Sequence, residues 1–144
     1  MAEGIFALCF CIGGICMYEN LLQAAREVRE HAYCNYSHFA VGAALLAKDG
    51  TVYTGCNVEN GAYPVGMCAE RVAFGKAIAD GRKPGDFEAI AIVGAHEGEN
   101  PDQPCYPCGM CRQALAELGG ENLKIVLTDR IYRMTELLPY SFTL

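Results

Sequence analysis

Two short thiol motifs constrain this chain more than anything else in it. Cys68-Ala69-Glu70-Arg71 sets a thiol and a carboxylate two residues apart where a helix begins. Pro107-Cys108-Gly109-Met110-Cys111 sets two thiols three residues apart where another helix begins. Residues i and i+3 share a helix face, so Cys108 and Cys111 can reach one point. A helix start leaves N–H groups unpaired and carries the positive end of the dipole, which favours thiolate over thiol. Pro107 suits the first turn, where no N–H partner is required. A fold that joins both motifs supplies three sulfurs for a tetrahedral Zn²⁺ and leaves a fourth position for water. A metal with an open position is catalytic rather than structural, and Glu70 is the nearby carboxylate that would carry its protons.

Rival readings of these residues are weaker. One thiol alone is usually a small buried hydrophobe, but three thiols and Glu70 in these contexts are a specific pattern. Cys105-Tyr106-Pro107-Cys108 is also a C-x-x-C. It contains a proline and precedes the helix, so its geometry is less fixed, and the pair 108/111 is preferred. An iron–sulfur cluster lacks the nearby fourth cysteine followed by proline. Three thiolates leave a zinc site with formal charge −1, which acidifies water less well than three imidazoles. A cation donating to the sulfurs would restore that power. Arg71 is the first candidate and Arg112 the second; the bland reading of either is a solvated helix-face charge.

The chain has 144 residues, 52% of them hydrophobic, enough for one globular domain with its own core. A net charge of −6 with only 11 Lys and Arg argues against nucleic acid as a partner and for a small molecule. Nine cysteines, three of them at 105, 108 and 111, suit metal ligation in a reducing compartment, so a cytoplasmic location is expected. Ile5 to Cys16 is an uncharged run of twelve. It is shorter than the ~20 residues of a membrane span, and it lacks the basic start of a signal peptide. The expected organisation is an apolar N-terminal extension over 1–16, packed or dangling, followed by a single domain over 17–144, with no membrane association.

Periodicity gives the elements in order. Leu21, Leu22, Ala25, Val28 and Ala32 mark a helix over 18–33. Phe39 to Ala47 and Thr51 to Val58, joined by Lys48-Asp49-Gly50, read as a hairpin. A helix over 68–80, a strand over 88–95, a helix over 108–118, a strand over 123–128 and a helical turn over 135–138 follow. The order α-β-β-α-β-α-β predicts an α/β fold. It is a three-layer α-β-α sandwich on a mixed sheet of about five strands, the fifth only weakly signalled near the C-terminus. Both thiol motifs fall at helix starts beyond strand ends, where sites in such folds cluster.

The motifs together resemble the small, homotetrameric, zinc-dependent cytidine deaminases. The resemblance runs from about Tyr18 to Phe142. It rests on Tyr36-Ser37-x-Phe39-x-Val41-Gly42-Ala43-Ala44, Gly55-Cys56-Asn57-Val58-Glu59-Asn60, Cys68-Ala69-Glu70-Arg71 and Pro107-Cys108-Gly109-x-Cys111-Arg112-Gln113. Four motifs in order are more specific than one Pro-Cys-x-x-Cys. The resemblance implies the cytidine deaminase-like fold and one Zn²⁺ per subunit on Cys68, Cys108 and Cys111. It implies Glu70 as proton carrier, Asn57 and Glu59 on the ribose hydroxyls, Phe39 stacked on the pyrimidine, and the Ala69 N–H on the base carbonyl. It also implies that Tyr63 and Phe142 reach toward a neighbouring subunit's site in a homotetramer. Read from sequence alone, Phe39 is plain core, Asn57 and Glu59 are strand-end polarity, and Tyr63 and Phe142 are local packing. Asn35, Cys105, Tyr106, Gly61 and Gly66 depart from the usual pattern and bear on the sugar and ring substituents.

The implied reaction is hydrolytic deamination of cytidine and deoxycytidine to uridine and deoxyuridine, with release of ammonia, in pyrimidine salvage. An aminonucleoside-antibiotic deaminase of the blasticidin type shares the thiol motifs but differs on the ribose side. A non-catalytic zinc module would need a fourth protein ligand and no cleft.

Overall fold

The computed structural model describes residues 12–144. A five-stranded sheet in the order β2-β1-β3-β4-β5 forms the middle layer, with helices on both faces. The strands are β1 (Phe39–Ala47), β2 (Val52–Cys56), β3 (Phe87–His96), β4 (Lys124–Val126) and β5 (Ile131–Arg133). β1 pairs antiparallel with β2 and β3, β3 pairs parallel with β4, and β4 closes antiparallel on β5. The weakly signalled fifth strand is thus the second arm of a short C-terminal hairpin.

Side-chain alternation sorts the sheet residues between two cores. Ala43, Leu45, Ile90, Ile92 and Ile125 face α2 (Ala69–Ala79) and α3 (Gly109–Ala114). Ala44, Ala89, Ala91, Val93 and Val126 face α1 (Glu19–Arg29), packing on its Leu21, Leu22 and Ala25. The α1 face is built largely of alanine, so that helix lies close to the strands. At Gly42 the approach is closest: a Cβ there would overlap the Ala25 carbonyl oxygen and come within 2.8 Å of the Arg29 nitrogen. Gly55 does the same under α2, where a Cβ would lie 2.6 Å from the Ala73 nitrogen.

Element ends differ from the periodicity for local reasons. α1 stops at Arg29, and the next N–H groups, of His31 and Ala32, bond three residues back in a tightened turn. The Arg29 side chain turns inward and donates to the carbonyls of Ala40, Ala95, His96 and Glu99. β2 ends at Cys56: the Asn57 N–H still donates to the Val41 carbonyl of β1 at 3.2 Å, but its carbonyl turns to the Tyr33 N–H, and Val58 pairs with Tyr33 and Met67. α3 holds α-geometry only to Ala114 and then widens into a π-turn over Leu115–Gly119. A short α4 (Met134–Leu137) follows β5 directly.

Of the extension expected over 1–16, residues 1–11 lie outside the described residues. Ile12–Tyr18 forms a 3₁₀ helix whose Ile15 packs beside the α1-side core. Among the described residues no helix is long and apolar enough to cross a membrane.

Gly42→Ala tests the close approach of α1. The added methyl must push backbone, not a flexible side chain, so a loss of about 3 kcal/mol is expected. Urea unfolding would measure it, and a loss under ~1 kcal/mol would mean that α1 can slide to make room.

Candidate active site

The topology brings the two thiol motifs together. β2 and β3 both run antiparallel to β1, so they point the same way. α2 follows the end of β2 and α3 follows the end of β3. Both helices therefore begin at one end of the sheet, the end at which β1 starts with Phe39.

Cys68 and Cys108 are the residues just before α2 and α3, both extended (φ −75°, ψ 154° and φ −66°, ψ 167°), and Cys111 lies in the first turn of α3. Their three sulfurs lie within 4.8 Å of one another, and Cys68 Sγ is 3.7 Å from Cys108 Sγ. Zn–S bonds of ~2.3 Å in a tetrahedron hold sulfurs about 3.8 Å apart, so the donor set fits zinc in spacing and softness. No fourth His, Cys, Asp or Glu among the described residues joins this group. Cys105 is a half-buried thiol outside it, pushed up to about 11 by burial, with the charges of Glu70 and Cys68 adding to the effect.

The electrostatics suit a cation. Hydrogen bonding from Cys111, with help from Cys108 and Arg71, pulls Cys68 down to about 5 against the opposing effect of burial. Cys111 moves the other way, raised by its bond to Cys68 and by burial. Arg71 packs against the sulfurs; burial lowers its pKa, but Cys68 and Cys111 more than offset that. Its Nη2 donates to the Gly66 carbonyl at 3.3 Å, while its Nε is buried with no hydrogen-bond partner. A buried guanidinium N–H with no oxygen acceptor beside three sulfurs marks Arg71 as a cation facing that cluster rather than a solvated surface charge. Glu70 is only 4% exposed, and burial raises its carboxyl above the ordinary range, as does the Cys68 charge.

Residues 17–127 match the family model of the cytidine and deoxycytidylate deaminase zinc-binding region. The chain belongs to this deaminase family. A cytidine deaminase of Sporosarcina psychrophila is 49% identical over 130 residues, covering 87% of this chain and 90% of that protein. Another, of Halalkalibacterium halodurans, is 44% identical over 128 residues, covering 85% and 92%. The crystal structure of a cytidine deaminase from Burkholderia pseudomallei superposes with a TM-score of 0.77 at 46% identity, covering 85% of this chain and 97% of that one.

In this family member a cleft of about 320 Å³ opens beside the sulfurs, lined among others by Asn57, Glu59, Tyr63, Cys68 and Arg71. It shares Glu59, Tyr63 and Gly66 with a neighbouring cleft of about 400 Å³. Asn57 and Glu59 are held next to Cys68 by a backbone bridge: the N–H of each of Val58 and Met67 donates to the other's carbonyl at 2.9 Å. Glu59 Oε1 accepts from the N–H groups of Tyr36 and Ser37, both at 3.0 Å, which holds its carboxyl below the ordinary range and leaves Oε2 out of both bonds. Asn57 Nδ2 donates to the Phe39 carbonyl and its Oδ1 accepts from Val41 N–H, both at 2.8 Å. One Nδ2 hydrogen remains unused by that pairing. Phe39 stands edge-on to His96, with ring centroids 5.1 Å apart.

Tyr63 lines both clefts of its own chain and is 78% exposed. Phe142 stands apart from them, 69% exposed, beside Ala116 and Glu117. A larger cavity of about 440 Å³ beside Arg29 contains none of the expected site residues. Arg112, named second after Arg71 as a cation for the sulfurs, is engaged with backbone carbonyls. It ties the thiol loop to the C-terminal segment, Nε donating to the Pro107 carbonyl and Nη1 to the Leu137 carbonyl, both at 2.8 Å. Its signal was position alone, one residue after a ligand cysteine.

Arg71→Ala is expected to weaken zinc retention by about tenfold, the usual size of an outer-layer effect, with the far-ultraviolet dichroism unchanged. Competition against a chromogenic chelator reads this directly. Parental affinity would reduce Arg71 to a packing residue.

Proposed function

We propose that this chain hydrolyses cytidine and deoxycytidine to uridine and deoxyuridine, releasing ammonia, as a step of pyrimidine salvage. The observation that carries the reading is the convergence of three sulfurs beside a buried Glu70 at the mouth of a cleft. Cys68, Cys108 and Cys111 would hold one zinc per subunit. When bound, zinc supplies the Lewis acidity that lets water ionise near neutral pH.

The remaining work falls to the chain's own groups. Phe39 faces the pyrimidine, and the Ala69 N–H, free at the first turn of α2, donates to the base carbonyl. Asn57 donates its spare Nδ2 hydrogen to a ribose hydroxyl, and Glu59 accepts from another with Oε2. Glu70 takes the two protons of the attacking water in turn, delivering the first to N3 and the second to the leaving amine. A C4–O bond forms, the C4–N4 bond breaks, and the nitrogen leaves as ammonia. Arg71 balances the excess negative charge of the sulfurs.

The partner chemistry is that of a nucleoside, not of a polynucleotide, given the net charge of −6. Tyr63 and Phe142 are read as reaching a neighbouring subunit's site in a homotetramer. Their support is that both are large, apolar and exposed. Residues 17–144 form the catalytic domain and 1–16 an extension to it, in a cytoplasmic protein.

Ammonia release from cytidine, deoxycytidine and blasticidin S, measured side by side, tests the substrate class; turnover of the first two alone is expected. Glu70→Gln should lower kcat by roughly a thousandfold while zinc, assayed by mass spectrometry, stays at one per chain. A near-parental kcat would remove Glu70 from the chemistry.

A further inference from the structure

Residues outside the motifs also shape the space above the start of β1. Phe39, Val41, Ala43 and Leu45 alternate onto the sheet face that carries α2 and α3. The start of α2 lies over Gly55, whose strand partner is Ala43. Going from Ala43 toward the beginning of β1, the next side chains on that face are Val41 and then Phe39, and they lie ahead of the helix start. This places them under the cleft end of the sheet, where Cys68 and Glu70 stand.

On β3 the register partner of Val41 is Gly94. A Cβ built on Gly94 would come within 2.6 Å of Cys105 Sγ, 3.0 Å of Phe39 Cε1 and 3.1 Å of Val41 Cγ2. Three side chains from two segments, β1 and the loop before α3, thus close over one missing methyl. Gly94 has no positive φ, so its conformation does not call for glycine; the space above it does. The sulfur is the part of Cys105 that occupies that space, and Cys105 also packs on the α2/α3-side core.

We infer that Cys105 is a positioning residue for the substrate base: its sulfur, seated over Gly94, fixes the height of Phe39 at the cleft end of the sheet. Cys105 touches neither metal nor reacting atoms in this arrangement. It acts through Phe39, and the inference rests on the reading of Phe39 as the residue facing the pyrimidine. The chemistry it reads is the thickness and bulk of a planar pyrimidine ring. Cysteine suits the place because sulfur is polarizable and pairs favourably with aromatic rings.

A compensation experiment tests this on the zinc-loaded full chain. Gly94→Ala adds the methyl and should displace Cys105 and Phe39, raising KM for cytidine by about tenfold with kcat within about twofold. Cys105→Ala frees the space, so Gly94→Ala combined with Cys105→Ala should bring KM back to within about twofold of the parent. Affinity for uridine, measured by calorimetry, should follow the same pattern without any turnover. Rescue of KM and uridine affinity by the double variant supports the inference.

An unchanged KM in Gly94→Ala overturns it, as does a double variant no better than Gly94→Ala alone. If Gly94→Ala does not fold, Cys105→Leu takes its place: the bulkier side chain should raise KM at constant kcat, and a lowered melting temperature with parental KM overturns the inference. A parent chain that does not deaminate cytidine would fail the functional reading instead, and uridine affinity would still separate the two.

Discussion

The direction of β1 governs the site. Because both its neighbours run against it, β2 and β3 release the chain at the same end of the sheet, and each release begins a helix. Two helix starts then share one small volume with unpaired N–H groups and the positive ends of both dipoles. Anionic sulfur is stabilised there, and a carboxyl one turn into α2 is buried with it. Had β3 paired parallel to β1, α3 would begin at the far edge and Cys108 would be a strand's length from Cys68.

That arrangement needs the helices close to the sheet, and two glycines permit it. Gly42 lets the α1 backbone settle on β1, and Gly55 lets α2 settle on β2. The distances are backbone to backbone, so no rotamer can relieve a larger residue. Close seating of α2 is what brings Cys68 to the level of Asn57 and Glu59, with the Val58–Met67 bridge finishing the alignment. The ribose-side residues are thus positioned by main-chain pairing first and by their own side chains second.

Much of this was legible in the sequence. The thiol spacing pointed to the three sulfurs that the fold gathers within 4.8 Å of one another, and periodicity gave the layers and all four long elements. Family resemblance was needed for Asn57, whose side chain proves to imitate a strand, bonding the Phe39 carbonyl and the Val41 N–H. A short polar residue after a strand carries no periodic signal, so nothing in the residues alone marks that role. The early end of α-geometry at Ala114 was also hidden, since Leu115 to Leu118 are good helix formers and nothing in their spacing marks a π-turn. Gly94 lies inside the run 88–95 that reads simply as a strand, and nothing in that run sets it apart. Its meaning is in the contacts of three distant residues, which sequence spacing does not encode.

Arg112 has a broader consequence. One guanidinium links the carbonyl just ahead of Cys108 to the carbonyl that ends α4, and Gln113 Nε2 reaches the Phe142 carbonyl from the same helix. The last dozen residues are therefore mechanically in series with the sulfur cluster. A tag, fusion partner or truncation at the carboxyl end would be felt at the three sulfurs, whereas Ile12–Tyr18 and α1 lie on the opposite face of the sheet, away from them.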